Sequence, residues 1–346
     1  MGITLKDVAK HAGVSYSTVS RVLTGRRPVQ PEAAARVRAS AEALGYVPDR
    51  RARSLKLRRS DVIGLIVSDI RQEFIPPVVR AIEDVASQRG FAVLLCNADD
   101  DPVKESAYAD LLLQEGVAGA VVAATGDRSH AARRLVAGGV PVVAFDRRVD
   151  GVDVDSVTVD NLAGAQAAVR HLLAVGYRRV ALLAGLQVAG TARARRAGYE
   201  AAHRELGAAL DAGLIVDELR ESEQAADAAA RLLAGDRPPD AIFTTNARLA
   251  TGALQALRAR GLELGTDVGL ATFDDPPWAR LLERPLTTVA QPIYEIGRRA
   301  GQVLFARIDG ETGPPAHVVL EARLEVRAST DPARPPDARR SRKGTP

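Results

Sequence analysis

Two sets of side chains in this chain carry chemistry in their type and spacing. The first is Tyr16, Ser17 and Arg21, close together at the start of a short segment of helical pattern. An arginine fork takes a guanine edge bidentately, and side chains at the start of a recognition helix reach base edges. Thr4, Ser15 and Ser20 bring hydroxyls suited to phosphate, contacts that position a protein on DNA without specifying sequence. The second set is spread through the rest of the chain: Asp69, Phe74, Asn97, Asp146, Arg147, Arg193, Asn246, Asp274 and Gln291. Carboxylates, amides and guanidinium groups around an aromatic plate suit a neutral polyhydroxyl ligand, since each planar polar group can grip two hydroxyls. Any one of these residues could equally cap a helix; it is the set that points to a binding cleft.

The elements needed to position both sets are legible. Leu5 to His11 reads as an amphipathic helix, with Thr4 and Asp7 forming a capping-box-like pair. Gly13 turns the chain, and Ser15 caps a second helix, Tyr16 to Leu23. Two short helices joined by a tight glycine turn make a helix-turn-helix. Pro31 to Leu44 predicts a third helix that closes a small core through Ala34, Val37, Ala41 and Leu44. From Val62 onward the pattern changes to short apolar runs alternating with helices. Strands are expected at 62–67, 92–96, 119–123, 140–145, 180–183, 241–244 and 268–272. Helices are expected at 77–89, 102–115, 128–137, 162–175, 192–206, 223–233 and 249–260. Such alternation implies parallel sheets covered on both faces, and open parallel sheets bind ligands beyond the carboxyl ends of their strands. The second set of residues lies just there: Asp69 and Phe74 after the first strand, Asn97 after the second, Asp146 and Arg147 after the fourth. Arg193, Asn246 and Asp274 follow the next three.

Charge is divided unevenly. Residues 1–59 hold 13 Lys/Arg against 4 Asp/Glu, although the whole chain of 346 residues is only +4. Residues 331–346 are basic as well, so the middle is acidic. A basic head on an acidic body fits a nucleic-acid-binding module joined to a body that does not bind it.

The stretches TLKDVAKHAGVSYSTVSRVL and LGYVPDRRARSLKLRRS closely resemble the DNA-binding head of the LacI/GalR family of bacterial transcription regulators, and the resemblance extends to about residue 329. It implies an N-terminal all-α helix-turn-helix head, residues 1–47, and a hinge helix, 48–60, that forms on DNA when two subunits pair. It further implies an α/β body, 61–329, of two periplasmic-binding-protein-like lobes with parallel sheets. Residues 61–160 with 291–320 would form one lobe and 161–289 with 321–329 the other, leaving 330–346 as a disordered basic tail. In the family, the positions of Tyr16 and Ser17 largely set operator preference. Leu55 matches the leucine that wedges into the minor groove, and Arg50 and Arg53 flank it on a basic linker drawn to phosphate. Positions matching Asp69, Phe74, Arg147, Arg193, Asn246, Asp274 and Gln291 line the family's effector cleft. Two departures stand out. The family usually shows Asn-Asp where this chain has Asn246-Ala247, and Asp217 to Ser222 lacks an aromatic that many relatives place over the ligand. Trp278 could stack on a ligand from another side or pack between the lobes.

Other classes fit less well. No P-loop, nucleophile elbow, HExxH or dinucleotide fingerprint is present, and the five histidines have no metal spacing, so an enzyme, a cofactor and a metal are not expected. The one cysteine, Cys96, sits in an apolar run as a small buried hydrophobe. No apolar run spans a membrane and no signal segment precedes the first helix, so a cytoplasmic protein is expected rather than a free solute-binding protein of a transport system. A purely architectural DNA-binding protein leaves the body unexplained. The reading is a repressor that binds a palindromic operator as a homodimer, controlled allosterically by a sugar, with a nucleoside or purine as the other effector class. The helices at 77–89 and 249–260 are expected to offer apolar faces for pairing.

Overall fold

The computed structural model describes residues 3–24, 29–46 and 60–331. They fall into two compact units, one within residues 1–60 and one from Asp61 onward.

The first unit is α1 (Leu5–Ala12), α2 (Tyr16–Thr24) and α3 (Pro31–Ala43). The Thr4 N–H and Oγ1 both donate to the Asp7 carboxylate, at 2.8 and 2.6 Å, which fixes the start of α1. Gly13 has φ of +64°, the left-handed conformation that ends α1 and turns the chain. Ser15 Oγ then accepts the Thr18 N–H at 3.2 Å and starts α2. Val8, Val19 and Val37 are fully buried where the three helices meet, with Ala9, Ala12 and Ala41 around them.

The second unit runs β1 (Val62–Val67), α4 (Ile75–Gln88), β2 (Ala92–Asn97), α5 (Pro102–Glu115), β3 (Ala120–Val122), α6 (His130–Ala137), β4 (Val142–Asp146) and β5 (Asp155–Val159). Then come α7 (Asn161–Ala174), β6 (Val180–Leu183), α8 (Gly190–Glu205), β7 (Ile215–Val216), α9 (Ser222–Ala234), β8 (Ala241–Thr244), α10 (Ala247–Ala259), β9 (Gly269–Phe273) and β10 (Thr287–Ala290). It closes with α11 (Ile293–Ile308), β11 (His317–Leu320) and β12 (Arg323–Glu325). Two six-stranded sheets result, in the orders β11-β5-β4-β3-β1-β2 and β12-β10-β9-β8-β6-β7. The chain therefore passes from one sheet to the other after β5, after β10 and after β11. All neighbours are parallel except β10 and β12, where Thr288 faces Glu325 in an antiparallel edge pair. In each sheet the first strand lies between the second and third, so the connections reverse direction there. That reversal opens a crevice at the carboxyl ends of the strands, the topological switch point.

Helix and strand positions match the apolar periodicity to within a few residues; the helix expected at 77–89, for example, is α4 at Ile75–Gln88. Five strands and α11 were not expected. β5 shows why: it reads DSVTV, yet all five residues are buried. Its polar side chains are partnered from far along the chain, Asp155 by Arg307 with two bonds of 2.9 Å and Ser156 by His317 at 2.9 Å. The apolar stripes of two helices expected near the pairing surface are used within the lobes. Ile75, Val78, Ala81, Ile82 and Ala86 of α4 pack into their own lobe, and so do Leu249, Ala250, Ala253 and Leu257 of α10. Those apolar stripes cover their own sheets.

Candidate functional site

In the first unit, α2 presents Tyr16, Ser17 and Arg21 on its exposed side. Ser15 and Thr4 are engaged in the helix caps described above, and Ser15 Oγ also lies 2.8 Å from the hydroxyls of both Ser17 and Thr18. Ser20 is half-buried. Arg50, Arg53 and Leu55 lie outside the described residues.

In the second unit the two sheets enclose a cleft of about 390 Å³ at their switch points. From the first lobe it is lined by the loop after β1 (Arg71–Phe74), by Asp99 and Asp100 after β2, by Thr125 after β3, and by Asp146 and Arg147 at the end of β4. From the second lobe come Gly185, Leu186, Ala189, Thr191, Ala192 and Arg195 around the start of α8, Leu219 to Ser222 before α9, and Thr245 to Arg248 at the start of α10. Asp274 after β9 and Gln291 in the crossover complete it.

Arg195 is the centre of this arrangement. It is buried, its Nε donates to Asn161 Oδ1 at 2.7 Å, and its Nη1 donates to the Thr245 carbonyl at 2.6 Å. The guanidinium carbon lies 3.7 Å from the centre of the Phe273 ring, a cation–π contact that holds the group flat. Burial pushes the Arg195 group below its usual range, and the charges of Asp274 and Asp146 oppose that shift. An arginine remains charged regardless. Asp146 ends the fourth strand of its lobe and Asp274 directly follows the fourth strand of the other, and both take the left-handed backbone, φ +68° and +75°. Aspartate tolerates that conformation better than most residues, and the turn aims each carboxylate across the strand ends. Asp146 is held by Arg147 Nε and Nη2 at 3.1 and 2.9 Å, while Arg147 Nη1 reaches the Thr125 carbonyl at 3.3 Å. Asp274 accepts Gln291 Nε2 at 2.6 Å; burial pushes its carboxyl above the ordinary range, against the pull of Arg195 and Gln291. Gln291 Oε1 is buried with no hydrogen-bond partner. Burial also raises the Asp100 carboxyl, with Arg147 opposing. The cleft thus holds one acceptor without a donor, Gln291 Oε1, among carboxyl groups and two buried, anchored guanidiniums, Arg147 and Arg195.

Of the expected cleft residues, Phe74, Arg147, Asn246, Asp274 and Gln291 line it. Asn246 also caps α10, its Oδ1 accepting the Leu249 N–H at 2.9 Å. Asp69 stands behind the lining with a fully buried side chain, bonded to Arg71 and to Arg248. Arg193 is a correction: it does not line the cleft but turns to Asp127 and the Gln187 carbonyl, half exposed. The residue that takes its place is Arg195. The signal was available, because Arg195 falls on the buried stripe Ala192, Arg195, Tyr199 and Ala202 of α8, and an arginine on the buried side of a helix needs a reason. Asn97 is likewise used structurally, accepting the Ile70 N–H at 2.9 Å, and Asp99 and Asp100 line the cleft in its stead. Trp278 packs between the lobes, its Nε1 donating to Glu73 Oε1 at 2.9 Å. Cys96 is buried.

Among the described residues no cluster of His, Cys, Asp and Glu could hold a metal ion, and no helix is long and apolar enough to cross a membrane. The family described as periplasmic binding proteins and sugar binding domain of LacI family matches residues 60–326, and that described as bacterial regulatory proteins, lacI family, matches residues 4–49. The HTH-type transcriptional regulator DegA of Bacillus subtilis is 33% identical over 96% of this chain and 99% of its own length. The ribose operon repressor of Halalkalibacterium halodurans is 34% identical over 94% of this chain and 97% of its own. Among solved structures, the lac repressor dimer bound to operator and the anti-inducer ONPF superposes with a TM-score of 0.85 at 26% identity, covering 95% of this chain and 99% of that one. The transcriptional regulator CelR in complex with cellobiose gives 0.72 at 31% identity, covering 94% and 99%. A helix-turn-helix head, a two-lobed body with a polar cleft at its switch points, and both family matches together place this chain in the LacI family of DNA-binding transcriptional regulators.

Proposed function

We propose that this regulator is a repressor that binds a palindromic operator as a homodimer, and that a neutral sugar in the cleft controls its affinity for DNA. The observation that carries the effector reading is the lining itself: the buried guanidiniums of Arg147 and Arg195, the carboxyls of Asp146 and Asp274, and Gln291 Oε1, which has no donor, share one cleft with the Phe74 ring. A hydroxyl both donates and accepts, so a polyhydroxyl ligand can pair with the carboxyls, the free amide oxygen and the guanidiniums together. CelR with cellobiose and a regulator from Alkaliphilus metalliredigens complexed with D-xylulofuranose, 26% identical with a TM-score of 0.68, support a sugar here. The operator-bound lac repressor dimer supports two-fold pairing on a palindrome.

In this reading residues 1–47 are the DNA head, with Tyr16, Ser17 and Arg21 on base edges and Thr4, Ser15 and Ser20 on phosphates. Residues 48–60 are a hinge, with Arg50 and Arg53 on the backbone and Leu55 as a minor-groove wedge. Residues 61–329 sense the effector, 330–346 are a basic tail, and the protein works in the cytoplasm. Sugar binding alters the angle between the lobes and hence the spacing of the two hinges. A thermal-shift screen against D-ribose, cellobiose, sugar phosphates, nucleosides and purines tests the effector class. A ligand at a hundred times its Kd stabilises the state that binds it by about 2.7 kcal/mol. A shift with an unphosphorylated sugar is expected; shifts with nucleosides or purines alone would overturn the sugar assignment and leave the regulator.

A further inference from the structure

Four charged residues form a closed ring across the boundary between the lobes. Asp69 and Arg71 belong to the first lobe, Glu221 and Arg248 to the second. Asp69 Oδ2 lies 2.8 Å from Arg248 Nη2 and 3.1 Å from Arg71 Nη2. Glu221 closes the ring, 3.5 Å from each arginine. The signs alternate around it, so each charge has two opposite neighbours. The ring runs from the buried Asp69 side chain, 0% exposed, to Arg71, which is 61% exposed. It occupies the place where this chain departs from the family's Asn-Asp: the residue after the capping asparagine is Ala247, and Arg248 next to it reaches the opposite lobe. Burial alone would push the Asp69 carboxyl up, but the hydrogen bonds from Arg71 and Arg248 outweigh it and hold it below the ordinary aspartate range. The ionised carboxylate is thus better served in the closed arrangement than in water, and parting the lobes removes the Arg248 share of that.

We propose that this ring is an ionic latch that holds the two lobes together, and that Arg248 is a positioning residue that governs their opening rather than an effector contact. A latch of this kind slows ligand access and ligand release together, because both require the lobes to part. It concerns contacts between the lobes themselves, so it stands or falls independently of which ligand the cleft takes.

The chain carries its own reporter. Trp278 is its one tryptophan, and the Nε1 bond to Glu73 crosses the same boundary. The experiment is steady-state emission and acrylamide quenching of Trp278 in the full-length protein with no ligand added, for wild type, Arg248→Lys and Arg248→Gln. Far-UV circular dichroism checks that each is folded. Arg248→Gln is expected to move the emission to longer wavelength and raise the quenching constant, while Arg248→Lys stays close to wild type. Raising the salt concentration is expected to move wild type toward Arg248→Gln and to leave that variant unchanged, since the ring's outer members are open to solvent. Wild-type emission and quenching in a folded Arg248→Gln would overturn the latch. Should Arg248→Gln fail to fold, Glu221→Gln and the wild-type salt titration decide: no change in either overturns it, and a red shift in both supports it.

Discussion

The replacement of Arg193 by Arg195 as the cleft's cation yields the sharpest test of the site. Arg195→Met keeps the length and apolar stem of the side chain and removes the guanidinium. Nε and Nη1 are occupied by Asn161 and Thr245, so Nη2 is left to face a ligand. A charge-assisted hydrogen bond is worth about 1.5–3 kcal/mol, and two from one guanidinium give roughly 3–6 kcal/mol. That corresponds to a loss of about a hundredfold or more in affinity for the sugar that emerges from the screen. The variant also leaves Asn161 Oδ1 and the Thr245 carbonyl without donors, which costs about 1–3 kcal/mol of stability for each. Affinity must therefore be measured by calorimetry below the variant's own melting temperature. Arg193→Met is the control. It loses an ion pair with Asp127 that is half exposed on the arginine side, worth about 0.2–1 kcal/mol, and affinity should fall no more than about fivefold. Equal losses in the two variants, or near-wild-type binding by Arg195→Met, would refute the reasoning.

Three further outcomes are expected. Val37→Ala removes two methyl-sized groups from the small core of the head, where Val37 is fully buried, and should cost roughly 2 kcal/mol there while the melting of the body is unchanged. Calorimetry, with the two units melting separately, checks this. Tyr16→Ala should lower affinity for the preferred operator by about 1–3 kcal/mol without changing the salt slope of binding, because a base contact and not a phosphate contact is lost. Asp275 is held at a pKa of about 2: burial would raise it, but Arg327, Arg280 and Thr288 outweigh that. A lowered carboxyl contributes stability that is complete above its unfolded pKa near 4 and is lost as pH falls toward 2, about 2 kcal/mol here. Denaturant titrations between pH 5 and 2 should therefore show a flatter profile for Asp275→Asn than for wild type.

Much of this was legible in the sequence because it is local. The caps at Thr4 and Ser15, the turn at Gly13 and the apolar runs of the central strands each depend on a few neighbouring residues. What was not legible depends on distant partners. β12 reads as a polar edge and pairs antiparallel with β10 only because the chain recrosses between lobes just before it. α11 is built around Gly297 and Gly301; a Cβ on Gly297 would lie 2.5 Å from the Val78 carbonyl, a close approach to α4 that no local pattern announces. Asp69 was identified by its place after a strand, yet its role is set by Arg248, which no spacing rule connects to it. The choice between Arg193 and Arg195 turned on helical phase. Residues two apart on a helix point to nearly opposite sides, so Arg193, assigned by its place after a strand and by family resemblance, is exposed while Arg195 lies on the buried stripe.

The central claim is that the cleft and the head are coupled. The most direct test is fluorescence anisotropy of a labelled palindromic site, selected by the protein itself from random DNA, at fixed salt with and without the sugar that raises the melting temperature. Saturating sugar is expected to change operator affinity at least severalfold, and operator DNA to change sugar affinity by the same factor. A sugar that clearly raises the melting temperature yet leaves operator affinity untouched would contradict it.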